Sequence, residues 1–273
     1  RAPEEGHGGY PVSEAALREL SIAEDRHFWH ATRNELIAER LARAGVESPA
    51  RVLELGCGGG CVAAHLSRAG YRVVGVDGSV ARLREAAARA PNARFLAHDL
   101  GLGVPAEAGA DFDAAGLFDV VEHLDDPVSA LAAAVASVRP GGLVVGTVPA
   151  EMALWSVVDQ AAGHRLRYDV PGLGEMLRRV VGAEVVEVVP FNRAIYPVLW
   201  LQRRLAARDA SAAAVQSLRV PAAPLNALFG RLLRAERRGR LPVASRWPGT
   251  SIWFALRRDR PDERKCPDLR DGL

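Results

Sequence analysis

The sequence predicts an α/β fold, a doubly wound parallel sheet with helices ahead of it and more inserted near its end. Short apolar runs alternate with helical segments between residues 45 and 150, and strands separated in this way build a parallel sheet through right-handed crossovers. A glycine-rich turn, ELGCGGG at 54–60, closes the first apolar run. The chain has 273 residues, half of them apolar and a quarter charged, which suits one large globular domain with an added lobe.

The elements follow in order. From Val12 to Ala44 the pattern is helical with a break near Ser21; Trp29, Arg33, Leu36 and Ile37 fall on one face of the second helix. RVLEL (51–55) reads as a buried strand, CVAAHLSRAG (61–70) as a helix ending on Gly70, and YRVVGVD (71–77) as the second strand. Ser79 caps a helix over 79–90 that Pro91 stops. ARFLAHD (93–99) is a third strand and DAAGLFDVVEHL (113–124) contains a fourth. PVSALAAAVASVRPGG (127–142) is expected to stay helical up to Pro140-Gly141-Gly142, ahead of a fifth strand, GLVVGTVPA (142–150).

Composition excludes several classes. No apolar run approaches the ~20 residues of a membrane span, the most suspicious being AIYPVLWL at 194–201. The chain opens at Arg1 with no charged n-region and apolar h-region, so no secretory signal is expected. Cys57, Cys61 and Cys266 are spaced for neither a disulfide framework nor a zinc site, and a cytoplasmic location is the default expectation. Charge is uneven: residues 191–260 carry fourteen Arg against Asp209, Glu236 and Asp259, while residues 1–190 carry a net −8.

The glycine turn narrows the ligand. In a doubly wound sheet ligands bind at the carboxyl ends of the strands, where the first strand-to-helix turn comes closest. Gly56, Gly58 and Gly60 remove Cβ atoms from that approach, and the following helix offers free N–H groups and partial positive charge. A dinucleotide turn would follow G-x-G-x-x-G, yet its third glycine, counted from Gly56, falls on Cys61. Glu54 discriminates further, because a carboxylate there repels a pyrophosphate and attracts a cationic amino-acid end.

These motifs, in this order and spacing, resemble class I S-adenosylmethionine-dependent methyltransferases over about residues 25–190, in a bacterial subgroup that acts on sugars and secondary metabolites. The resemblance implies a Rossmann-like methyltransferase fold with a seven-stranded sheet, S-adenosylmethionine as cofactor and S-adenosylhomocysteine (SAH) as product. It implies that Glu54, Gly56, Cys57, Gly58 and Gly60 hold the methionine and ribose portion, and that Asp77, with Gly78 and Ser79, takes the ribose hydroxyls. His98, Asp99 and Leu100 would read the adenine, and Phe118 would line the cofactor. RHFWHATRNELI (26–37) resembles a stretch whose aromatic and basic residues lie over the cofactor, which nominates Trp29 and Arg33; the alternative is an amphipathic helix packing Phe28 and Trp29 into the core.

For the chemistry, the protein mainly has to align a nucleophile with the activated methyl group and, for a hydroxyl, remove a proton. Asp119-Val120-Val121-Glu122-His123 resembles D/E-x-x-E-H runs in ubiquinone-pathway O-methyltransferases and small-RNA 2′-O-methyltransferases, where such residues hold a divalent ion. Three readings stay open at this point. Asp119, Glu122 and His123 hold a divalent cation such as Mg, with His164 as a fourth ligand; or His123 is a metal-free general base; or alignment works without a strong base. Glu122, His123 and His164 are the candidate catalytic side chains, and Trp155, Asp159, Arg167 and Tyr168 the candidate acceptor contacts, with a purely structural acid pairing as the alternative for Arg167.

By the same resemblance AEVVEVVPF (183–191) and TSIWFALRR (250–258) form a hairpin of strands six and seven, interrupted by a basic insertion with helices around 194–208 and 222–238. The domains expected are a helical cap (1–44), a core (45–190 and 249–260), a lid insertion (191–248) and a flexible tail (261–273). The insertion reads as a lid favouring an anionic acceptor, as a membrane or homodimer face, or as a solvated surface. Nucleic acid is disfavoured by the acidic half that carries the motifs, and no N/D-P-P-Y/F run for base-amino methylation follows strand four. The function expected is methyl transfer to a hydroxyl, or an amine or carboxyl, of a small biosynthetic metabolite. RNA 2′-O-methylation and non-catalytic cofactor binding are the alternatives.

Overall fold

The computed structural model describes residues 21–205, 220–242 and 247–260. Seven strands form one sheet in the order β3-β2-β1-β4-β5-β7-β6. Strands β1 (Arg51–Leu55), β2 (Arg72–Asp77), β3 (Arg94–Ala97), β4 (Phe112–Phe118) and β5 (Val138–Pro149) are parallel. Strand β7 (Ser251–Arg258) runs antiparallel between β5 and β6 (Ala183–Phe191). The chain direction switches outward at β1 and β4, so the carboxyl ends of these two strands flank the crevice where such sheets bind ligands.

Helices α1 (Phe28–Arg43) and α2 (Cys61–Arg68) bury Leu36, Ile37, Leu41, Val62 and Leu66 against one face of the sheet, with Trp253 and Phe118 beneath them. Helix α3 (Val80–Arg89) packs beside α2. Helices α4 (Pro127–Ser137) and α6 (Val170–Arg178) cover the other face with Leu131, Leu173 and Leu177. A short helix, α5 (Val157–Ala161), precedes α6, and the insertion contributes α7 (Tyr196–Leu205) and α8 (Ala223–Arg237).

Local chemistry sets most of these boundaries. Ser79 accepts a hydrogen bond from Arg82 N at the start of α3, and Asp126 accepts one from Ser129 N ahead of Pro127 at the start of α4. Helix α4 stops at Ser137, short of the expected Pro-Gly-Gly, because Val138 leaves the helix to pair with Phe112 and the strand runs straight through Pro140, Gly141 and Gly142. A register shift between Phe112 and Ala114 absorbs that early start.

Helix α8 lies along α1. Arg234 and Arg237 pair with Glu35, Arg237 also with Glu39, and Asn226 Oδ1 accepts from Phe28 N at 2.9 Å. Two arginines of the expected basic run therefore hold the insertion to the fold instead of facing an acceptor. The expected helix before Ser21, residues 206–208, Cys266 and the tail from 261 lie outside the described residues. Among the described residues no helix is long and apolar enough to cross a membrane.

Candidate cofactor and acceptor site

The carboxyl end of β1 is built around one buried carboxyl group. Glu54 is 2% exposed and pairs in register with Gly75 on β2 and Gly116 on β4, so no neighbouring Cβ crowds its side chain. Burial pushes its carboxyl up to about 8, against the pull of Arg33 and a hydrogen bond from Ala63 N at the start of α2, and Oε2 has no partner. An unpartnered buried carboxylate oxygen is costly unless something cationic meets it.

The turn after Glu54 brings backbone close to that oxygen. Gly56 has φ +74°, and a Cβ there would sit 2.5 Å from a Val120 methyl. Gly60 has φ +73° at the N-cap of α2, where a Cβ would meet Ala86 Cβ at 2.7 Å. Cys57 turns its thiol into the sheet beside Gly75, so that side chain belongs to the core. Asp77 braces the turn, accepting from Gly58 N and Ser79 N at 2.8 Å each. Gly78 is exposed beside it. At the end of β3, Asp99 accepts from Gly101 N at 2.9 Å, Leu100 is half-buried, and His98 Nε2 is buried without a partner. Phe118 is a core residue here: its ring fills the space over Gly116 on the α1 face.

Trp29 and Arg33 lie together on α1. Arg33 stacks 4.9 Å from the Trp29 ring and pairs with Asp119 Oδ2 at 2.5 Å. Asp119 sits just past β4 with φ +57°, a left-handed conformation that Asp tolerates better than most residues. Ahead of α1, Glu24 accepts from Arg82 at 2.5 Å and Arg89 at 2.8 Å, and Arg89 donates to Gly59 O. The segment before α1 is thereby clasped to the glycine turn. His30 Nδ1 is buried without a partner, and burial together with Arg33, His27, Arg89 and Arg82 holds its ring well below the usual histidine range. No motif marked Glu24, Arg82 or Arg89, since their pairing acts across the fold and not along the chain.

A second corner forms beyond β4 and β5. Asp159 on α5 is fully buried; its Oδ1 accepts from Arg167 Nε at 2.8 Å and faces His164 Nδ1 at 3.1 Å. Burial alone would raise this carboxyl, but the His164 hydrogen bond and the charges of Arg167 and Arg203 hold it at about 2. An ionised carboxylate only accepts, so Nδ1 of His164 donates to it, and Nε2 faces Glu122 Oε1 at 4.0 Å. His123 Nδ1 likewise faces Gly163 O at 3.2 Å, a group that only accepts, and the two rings meet edge to face at 4.9 Å. Glu122 is fully buried with both carboxyl oxygens unpartnered, and burial followed by the Asp119 charge drives it well above the usual carboxylate range.

Two expectations change at this corner. Asp159 and Arg167 were nominated as acceptor contacts; both are buried in one ion network, with Arg167 also donating to Ala150 O at 2.8 Å. Tyr168 is buried beneath them, its hydroxyl pushed up to about 12 by burial and by Glu122, and Trp155 is half-buried at the edge. Of the expected cation set, Asp119 turns away to Arg33, while Glu122, His123 and the fourth candidate His164 bring ligand atoms within 4.8 Å of one another.

With this geometry in place, likeness to known proteins becomes specific. Residues 28–188 match a family model described as a methyltransferase domain. A ubiquinone biosynthesis O-methyltransferase of Ruegeria pomeroyi is 37% identical over 113 residues, which cover 37% of this chain and 43% of that protein. The chain thus matches less than half the length of that relative. Among solved structures, the plantazolicin methyltransferase BpumL in complex with SAH aligns with a TM-score of 0.56 at 10% identity, covering 91% of each chain. The magnesium protoporphyrin IX methyltransferase of Synechocystis PCC 6803 with bound SAH aligns at 0.52 and 14% identity, covering 93% of this chain and 91% of that one. At such identities the two structures share the fold.

Proposed function

The chain belongs to the methyltransferase domain family, and on that premise we propose that it transfers the methyl group of S-adenosylmethionine to a hydroxyl of a small biosynthetic metabolite. The observation that carries this reading is Glu54, a buried carboxyl group with an unpartnered oxygen beside a glycine turn whose missing Cβ atoms let Val120, Arg82 and Ala86 pack close. It suits a cationic amino-acid end and disfavours a pyrophosphate. Glu54, the backbone of 56–60, Asp77 and Asp99 would hold the cofactor, and Arg33 and Trp29 would close over it from α1.

When bound, S-adenosylmethionine supplies a methyl group already activated by its sulfonium. The residues of the chain align the acceptor and take its proton. His164 is the general base: Asp159 fixes the Nδ1–H tautomer and Nε2 accepts the proton, the arrangement by which a carboxylate orients an imidazole elsewhere. His123 presents its Nε2 at the exposed rim of the corner and orients the hydroxyl. Glu122 stays protonated beside them and adds no competing negative charge. No step is routed through a cation: Asp119 is committed to Arg33, and Glu122, His123 and His164 are read as a proton-handling corner.

Hydroxyl acceptors are favoured because the matched relative is named as an O-methyltransferase. The free thiols of Cys57 and Cys61 suit a reducing compartment, the cytoplasm. The test is incubation with methyl-labelled cofactor and a panel of phenolic and aliphatic alcohols, each with and without a carboxylate or phosphate, in the presence and absence of chelator. Label transfer to a hydroxyl that survives chelation is the expected result. Transfer only to amines, or transfer abolished by chelator and restored by magnesium, overturns the respective part of the reading.

A further inference from the structure

We propose that Arg203, on helix α7 of the insertion, is a positioning residue that fixes the general base through Asp159. The inference rests on the methyl-transfer reading only in naming His164 as the base; the contacts stand by themselves. Asp159 divides its two oxygens between two jobs. Oδ1 serves the reaction corner, facing His164 and accepting from Arg167. Oδ2 is anchored: it accepts from Ser156 N at 2.9 Å in the capping box of α5 and from Arg203 Nη1 at 2.7 Å. Arg203 also donates to Ser156 Oγ, so one guanidinium grips both members of that box.

The side chain of Arg203 is 14% exposed and that of Asp159 fully buried, so this contact is shielded from water and geometrically fixed. Its effect is on orientation. A carboxylate held at Oδ2 cannot rotate about its own axis, and Oδ1 stays aimed at His164 Nδ1. With Arg203 removed, Asp159 keeps Arg167 as a counter-ion and its buried charge stays compensated. The fold therefore tolerates the change, but Oδ2 then keeps only Ser156 as its anchor, so the aim of Oδ1 loosens and His164 can place its proton on either nitrogen. Arg203 thus links the insertion to the reaction corner, although the insertion lies far from it in sequence and packs against α1 and the turn at 152–154.

The experiment compares the full-length parent with Arg203→Met and Arg203→Lys. Nitrogen-15 imidazole spectra at about pH 8, with His164 assigned through His164→Gln, report the tautomer without any acceptor. Steady-state kinetics with an accepted alcohol report turnover. We expect a single Nδ1-protonated His164 in the parent and a mixture in Arg203→Met, with kcat lowered about tenfold, part of the 10²–10⁴ that a general base supplies. KM for the cofactor should stay within twofold, and Arg203→Lys should restore both the spectrum and kcat. An unchanged tautomer in Arg203→Met, or a parent His164 protonated on Nε2, overturns the proposal, as does a loss of kcat that Arg203→Lys does not restore. If every acceptor fails while the tautomer changes as stated, the methyl-transfer reading falls and the positioning of His164 by Arg203 stands.

Discussion

Arg33 Nη1 lies 2.5 Å from Asp119 Oδ2, joining helix α1 to the carboxyl end of β4 beside the cradle. Their side chains are only 8% and 20% exposed. Asp119→Asn would leave a buried guanidinium without its counter-ion, at a cost of about 3–5 kcal/mol. Replacing both, with Arg33→Met and Asp119→Asn together, should cost less than Asp119→Asn alone. A double-mutant cycle in urea measures the difference, and an additive cycle would show that the pair is uncoupled.

Glu54 predicts a conflict between function and stability. Its carboxyl titrates near 8 in the fold and near ~4.3 in an unfolded chain. Between these values the unfolded state has already lost its proton while the fold retains it, so stability falls as pH rises toward 8 and levels off above it. Glu54→Gln should therefore melt above the parent at pH 9, with the gap narrowing at pH 5. Ligand binding at pH 7 should release a proton from the parent and none from this position in the variant, read by calorimetry in buffers of differing ionisation enthalpy.

The clasp formed by Glu24 predicts a local effect. Glu24→Gln removes the charge shared by Arg82 and Arg89. Amide exchange over residues 21–26 should accelerate, and the Kd for SAH should rise about tenfold, the worth of one charge-assisted hydrogen bond of ~1.5 kcal/mol. Faster exchange with unchanged affinity would place the clasp outside the binding energy.

Gly60 is the least replaceable glycine of the turn. Gly60→Ala forces a Cβ to within 2.7 Å of Ala86 Cβ and 2.8 Å of its Cα at φ +73°. The overpacking alone should cost about 1–3 kcal/mol. Gly103→Ala, which has nothing within 4 Å at its own positive φ, controls for backbone strain; equal losses at both positions would remove packing as the cause.

The parts that the sequence makes legible are those encoded over short spans. The apolar runs, Ser79 as a cap and the glycine turn each declare themselves within a few residues, and the five parallel strands follow from their alternation, whereas the antiparallel β6 and β7 are implied by the family resemblance. What it conceals are long-range pairings. Asp119 reads as a ligand beside Glu122 and His123 until Arg33, 86 residues away, takes its carboxylate. Asp159 and Arg167 read as acceptor contacts after a strand, with acid pairing the alternative for Arg167; folding realises that pairing and buries both with Arg203. The basic run 231–240 reads as a solvated face or a lid for an anionic acceptor, yet Glu35 and Glu39 on α1 pair with Arg234 and Arg237. Polar residues are ambiguous in sequence because their meaning depends on a partner that periodicity does not reveal.

The claim on which the rest depends is that Glu54 receives a cationic amino-acid end. Calorimetric titration of the parent and of Glu54→Gln with SAH, and of the parent with a nicotinamide dinucleotide, tests it most directly. The account predicts saturable SAH binding by the parent, a loss of at least tenfold in the variant, and no uptake of the dinucleotide. SAH binding unchanged by Glu54→Gln, or dinucleotide binding in preference to SAH, would contradict it.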